Sequence, residues 1–79
     1  MTVLIVEDDE IILEGLKISL EQENYDIVTA STQKAALEII NSGREINISL
    51  LDVMLPDGDG YAICKEIRRR SDAPIIFLT

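Results

Sequence analysis

Two places in this sequence put carboxylates where an apolar run ends. The first run, "TVLIV" (Thr2 to Val6), is followed at once by Glu7, Asp8 and Asp9. The second ends at Asp52, with Leu50, Leu51 and Val53 around it and the turn-forming "LPDGDGY" close behind. An ionised carboxylate set into apolar chain is costly unless it is paired or coordinates a cation. Carboxylates crowded together repel one another, which raises some of their pKa values unless a cation compensates. A hard divalent ion suits such ligands, and Mg2+ typically takes one or two carboxylates while keeping several waters. A carboxylate beside such an ion can also act as a nucleophile toward phosphorus, forming an aspartyl phosphate while the metal offsets oxyanion charge. Thr79, which follows the apolar run "PIIFL", offers a hydroxyl to hydrogen-bond a phosphoryl group.

These groups meet only if the backbone brings them to one place. Thr2 to Val6, Asp26 to Ala30, Ile48 to Asp52 and Pro74 to Leu78 are short, largely apolar runs of strand length. Between them, Glu10 to Glu23, Thr32 to Asn41 and Gly60 to Arg69 carry apolar residues at helical spacing, and Ser42-Gly43 is a usual helix ending. Strands alternating with helices predict an α/β domain with a parallel sheet and right-handed crossovers. Strands that are apolar throughout fit a sheet covered on both faces. In such sheets function sits beyond the carboxyl ends of the strands. Glu7, Asp8, Asp52 and Thr79 all stand at strand ends, so neighbouring first and third strands would gather them on one rim.

Composition narrows the function classes. With 79 residues the chain is one small domain at most, and its net charge of −8 opposes non-specific binding to nucleic acid or to an anionic membrane. There is no histidine, which removes the commonest general base and transition-metal ligand. A single cysteine, Cys64, allows no intrachain disulfide and suits a reducing cytoplasm, and it is most simply a packed core thiol. No signal-peptide pattern and no membrane-length apolar run are visible, so a cytoplasmic location is expected.

Taken together, "VLIVEDDE", "LLDVMLPDGDGY" and "PIIFLT" resemble the receiver domain of bacterial two-component response regulators, over the whole chain. The resemblance implies a flavodoxin-like parallel sheet of strand order 2-1-3-4 with helices on both faces. It implies that Asp52 is the phosphoacceptor, taking a phosphoryl group from a sensor histidine kinase or a small phosphodonor. Asp8 matches the direct Mg2+ ligand, Glu7 a ligand through water, and Met54 a backbone carbonyl ligand beside Asp52. Thr79 matches the switch hydroxyl, and Pro56 and Gly60 the loop shapers. The family pattern continues beyond Thr79 through a helix, a fifth strand and a final helix, with a phosphate-pairing lysine before that last helix. Residues 1–79 are therefore expected to be a partial receiver domain, truncated after the fourth strand and impaired as a phosphoacceptor. By the same resemblance the segment is a signalling module rather than an enzyme, with no direct contact to nucleic acid or membrane.

Blander readings stand beside these. Asp9 and Glu10 are ordinary acids at the start of a helix, where they favour its positive end. Arg68, Arg69 and Arg70 are dipole partners and solvated surface rather than a nucleic-acid patch. The stretch Leu55 to Glu66 imitates a calcium-binding loop, but Leu55 stands at the first ligand place and cannot coordinate through its side chain. Asp57 and Asp59 are better read as turn formers. An aspartate-nucleophile phosphatase needs a second acid two residues after the first, and here that residue is Met54.

The first helix carries a further expectation. Ile12, Leu13, Leu16 and Leu20 share one arc of its wheel, and Ile11 and Ile18 form a second, which is wider apolar cover than one sheet requires. In the family that second arc meets the final helix. The edge of the fourth strand, "PIIFL", carries no charge. A homodimer burying Ile11, Ile18, Ile75 and Phe77 is therefore expected, since an unpaired apolar edge is a template for another chain. A fragment whose role is self-association alone is the remaining alternative function.

Overall fold

The computed structural model describes residues 1–78. Thr79, read above as the switch hydroxyl, lies outside the described residues. The order of elements is β1 (Thr2–Val6), α1 (Glu10–Glu21), β2 (Asp26–Ala30), α2 (Gln33–Asn41), β3 (Ile48–Asp52), β4 (Met54–Leu55), β5 (Gly58–Asp59), α3 (Gly60–Arg68) and β6 (Ile75–Leu78). The main sheet runs β2-β1-β3-β6 with every pairing parallel. Since β6 is the fourth of the long strands, this is the expected 2-1-3-4 arrangement.

Connection direction explains where the helices lie. The step from β1 to β2 runs one way along the sheet, while β2 to β3 and β3 to β6 run the other way. With right-handed crossovers, that reversal puts α1 on one face and α2 with α3 on the other. The contacts agree: α2 meets α3, whereas α1 meets β1 and β2. The larger core forms under α2 and α3, where Leu4, Val6, Ala30 and Leu51 meet Ala36, Ile40, Ile63 and Ile67. Val3 and Ile5, the alternate positions of β1, are buried on the α1 side.

The structure departs from the sequence reading at three places. Ile12 is not part of the sheet-facing stripe of α1: it is 47% exposed, while Leu13, Leu16 and Leu20 are half-buried. On a wheel, Ile12 sits about 70° from the centre of those leucines, too far round to reach the sheet. The run after Asp52 is not simply turn, since Met54 pairs with Asp59 and Leu55 with Gly58 in a small antiparallel hairpin around Pro56 and Asp57. On β6, Ile75 and Phe77 pack onto the core on the α3 side, Phe77 lying 5.2 Å from the Tyr61 ring. The exposed residue of that strand is Ile76.

Candidate functional site at the carboxyl rim of the sheet

β1 and β3 are direct neighbours in register, Val6 beside Leu51, so the residues that follow them emerge side by side. Glu7 is held there by its own backbone, its N–H donating to the Ala30 carbonyl at 3.1 Å and so prolonging the β1–β2 ladder. The carboxylates of Glu7, Asp8 and Asp52 offer oxygens that all lie within 4.8 Å of one another. Their exposures grade outward: Glu7 is buried, Asp52 half-buried and Asp8 open to solvent. Asp9 stands apart as the cap of α1, accepting from the Ile11 and Ile12 amides at 2.9 and 3.2 Å.

The electrostatics follow from that grading. Burial, then the hydrogen bond and charge of Asp52, push the Glu7 carboxyl up to about 7, against amides of Asp9 and Asp8 that pull it down. The Asp8 amide donates to Glu7 Oε2 at 3.0 Å. A buried carboxyl that holds its proton beside a second carboxylate marks an excess of negative charge with no cation among the described side chains to offset it. An all-oxygen donor set of this kind fits a hard divalent ion such as Mg2+.

The chain after Asp52 is shaped closely. The Gly60 amide donates to the Val53 carbonyl at 2.9 Å, closing the loop. A Cβ at Gly60 would overlap the Asp52 carbonyl oxygen and press on Phe77, so only glycine lets the start of α3 approach the strand end this nearly. Met54 stands on the hairpin and is 77% exposed, while Leu55 is buried in the core. Asp59 caps α3 through the Ala62 amide at 2.9 Å.

Sequence reasoning missed one linkage. Asp57 reaches across to α2, its Oδ1 accepting from the Gln33 amide at 2.7 Å and its Oδ2 from the Lys34 amide at 3.0 Å. Gln33 Oε1 answers by accepting from the Asp59 amide at 2.9 Å. The partners lie more than twenty residues apart, so no local spacing rule points to them. Arg68, Arg69 and Arg70 make exposed local contacts: Arg69 pairs with Glu66, Arg70 reaches Asn41, and Arg68 donates to the carbonyls of Ser71 and Ala73. No helix among the described residues is long and apolar enough to cross a membrane.

Comparison with known proteins bears on this rim. The sequence model of the family described as the response regulator receiver domain matches residues 3–79. The transcriptional regulatory protein AfsQ1 of Streptomyces coelicolor is 37% identical over 78 residues, covering 99% of this chain and 34% of its own. The regulatory protein VanR of Enterococcus faecium is 42% identical over 77 residues, covering 98% of this chain and 33% of its own. This chain thus spans about a third of the length of these curated relatives. Among solved structures, the N-terminal domain of a response regulator/sensory box/GGDEF protein from Carboxydothermus hydrogenoformans superposes with a TM-score of 0.92 at 31% identity, covering 100% of this chain and 64% of that one. The BeF3-activated receiver domain of Klebsiella pneumoniae RstA gives 0.88 at 30% identity, with 100% and 67% covered.

Proposed function

Since this chain belongs to the response regulator receiver family, we propose that it works as a phosphoacceptor of two-component signalling, with Asp52 as the residue phosphorylated. The observation that carries the reading is the convergence of Glu7, Asp8 and Asp52 beyond neighbouring strand ends. A carboxylate oxygen of Asp52 attacks phosphorus, the new O–P bond forms, and the bond to the leaving group breaks. That leaving group is the imidazole of a sensor histidine kinase or the acetate of acetyl phosphate. Mg2+ would be held by Asp8 and Asp52 directly, by the Met54 carbonyl, and by Glu7 through water. When bound it supplies positive charge against the phosphoryl oxygens. Thr79 would hydrogen-bond the phosphoryl group.

The likeness to the RstA receiver supports this assignment of Asp52. Beryllium trifluoride joined to a carboxylate oxygen has the shape and charge of a phosphoryl group, and that receiver is described as activated by it. A phosphoryl group adds about −1.5 to −2 of charge, enough to bias a two-state domain and change its surface contacts. The regulators AfsQ1 and VanR make control of transcription the natural downstream process, through parts outside residues 1–79. We read those residues as the first portion of a receiver domain. We also infer self-association through the open faces of α1 and β6.

The experiment is incubation with acetyl phosphate and Mg2+, followed by intact-mass and peptide mapping. One phosphoryl group on Asp52 is expected, labile to hydroxylamine and absent from Asp52→Asn. We expect low yield from residues 1–79 alone and a higher yield from a longer receiver segment. Labelling that survives Asp52→Asn would remove the assignment.

A further inference from the structure

We propose that Asp57 is a positioning residue of this site: its clamp on the first turn of α2 sets where the chain following Asp52 lies, and with it the Met54 carbonyl. The proposal rests on the reading of Asp52 and Met54 given above. The hairpin that carries Met54 has two paired positions per strand, too few to hold a shape unaided. It has two anchors. Leu55 is sunk in the core below, and Asp57 holds the tip from above.

The Asp57 anchor is unusually complete for an exposed side chain. Gln33, Lys34 and Ala35 are the opening residues of α2, and their amides have no partner within the helix. Thr32 Oγ1 takes the Ala35 amide at 3.0 Å, and the Asp57 carboxylate takes the other two, one with each oxygen. A carboxylate at a helix N-terminus makes charge-assisted bonds and sits at the favourable end of the dipole. Gln33 Oε1 then returns a bond to the Asp59 amide, and Asp59 caps α3. One connected set of bonds therefore ties α2, the hairpin and the start of α3 together. Gly58 belongs to it, because a Cβ there would run into the Gln33 amide group. In keeping with this geometry, the Lys34 and Gln33 amides hold the Asp57 carboxyl below its usual range.

The plain alternative is that Asp57 only caps α2, and Thr32→Ala is the matched control. It removes a cap from the same helix turn without touching the hairpin. In the metal-free 79-residue protein, Asp57→Ala should speed exchange of the Asp59 amide about tenfold, the equivalent of roughly one hydrogen bond. It should also move the amide signals of Asp52, Val53 and Met54 in nitrogen–proton spectra. Thr32→Ala should do neither while lowering the melting temperature. Titrated with Mg2+ alone, Asp57→Ala should bind about tenfold more weakly, the low end of what partners behind a ligand contribute. If Asp57→Ala and Thr32→Ala behave alike, or if the Asp52 and Met54 signals stay in place, the proposal is overturned. Should Asp57→Ala not fold, Gln33→Ala, which removes the return bond to Asp59, must show the same pattern in weaker form. Absence of any Mg2+ effect on the wild type would sink the metal reading, while the metal-free signals would still decide the clamp.

Discussion

The carboxyl of Glu7 lies against that of Asp52 with burial above and the strand ladder behind, and it keeps its proton up to about 7. Glu7 is 5% exposed, so it has little water with which to share a charge. Two acids in contact cannot both ionise cheaply, and here the buried one yields.

A stability profile should report this directly. The folded-state pKa of Glu7 is raised from 4.5 to about 7, so the folded chain holds a proton that the unfolded chain gives up between those values. Stability from this group is fully present below about 4.5 and is lost as pH rises through about 7, an effect of about 1–3 kcal/mol. Without Mg2+, thermal melts should fall in temperature from pH 5.5 to pH 8. Glu7→Gln should flatten that slope. A wild-type profile that rises over the same interval would contradict the Glu7 assignment.

Mg2+ binding should expel the same proton. The apparent affinity should strengthen as pH rises through about 7, because only ionised Glu7 suits a water-bridged cation. Calorimetric titrations at pH 6.5 in two buffers of different ionisation enthalpy should differ in heat by the released proton. Asp8→Ala should weaken binding severalfold, and Glu7→Gln should remove the buffer dependence. Equal heats in both buffers would mean that Glu7 is not linked to the ion.

Much of this rim was legible in the residues alone. β1, β2 and β3 have the expected bounds because each is an apolar run stopped by acids, turn residues or a helix cap, and a parallel sheet leaves such runs nowhere else to go. Glu7 and Asp8, which follow β1, meet Asp52, which ends the neighbouring β3, an adjacency that the family resemblance implied and the alternation of elements alone left open. The β4–β5 hairpin was not legible, since strands of two residues have no period to detect. Nor was the Asp57–Gln33 bond, which exists only because α2 and the hairpin arrive at the same corner from distant parts of the chain. Ile12 was misassigned because a four-residue spacing with Leu16 and Leu20 admits more than one centre for the buried stripe.

Gly60→Ala should damage the fold at the site rather than at random. The added methyl meets the Asp52 carbonyl, which is backbone within β3 and cannot swing away. Destabilisation of about 3 kcal/mol or more is expected by denaturant unfolding, together with loss of Mg2+ binding. Gly15→Ala is the control, because a Cβ there meets nothing within 4 Å and lies within α1. It should be neutral or stabilising. Equal behaviour of the two variants would remove the close-approach argument.

Ser49→Ala should go the other way. Ser49 is fully buried between Leu4 on β1 and Ile75 on β6, and its hydroxyl finds no partner among the described residues. Removing an unsatisfied buried hydroxyl relieves a desolvation cost, so a gain of about 1 kcal/mol is expected. Denaturant melts of the two proteins measure it, and a loss of stability would show that the hydroxyl has a partner in solution.

Self-association should follow the exposed isoleucines. β6 is the edge of the sheet among the described residues, and it presents an uncharged strand with Ile76 54% exposed. Ile76 is in register with Leu50 and shares its side of the sheet, the side on which α1 packs against β1 and β2. On α1 itself, Ile11 is 86% and Ile18 48% exposed, on the side of the helix turned away from the leucines that face the sheet, and they form a second open apolar surface. An unpaired apolar edge and an exposed apolar helix face are each a template for a second copy, and a C2 dimer buries the same surface on both copies. Ile76→Lys places a charge on that face without touching the α3-side core formed with Ile75 and Phe77. Sedimentation of the wild type should show a concentration-dependent dimer, weakened at least tenfold by Ile76→Lys and by Ile18→Glu, with the acidic rim and its Mg2+ response intact. A wild type that stays monomeric at all concentrations, with a cooperative melt, would rule the dimer out.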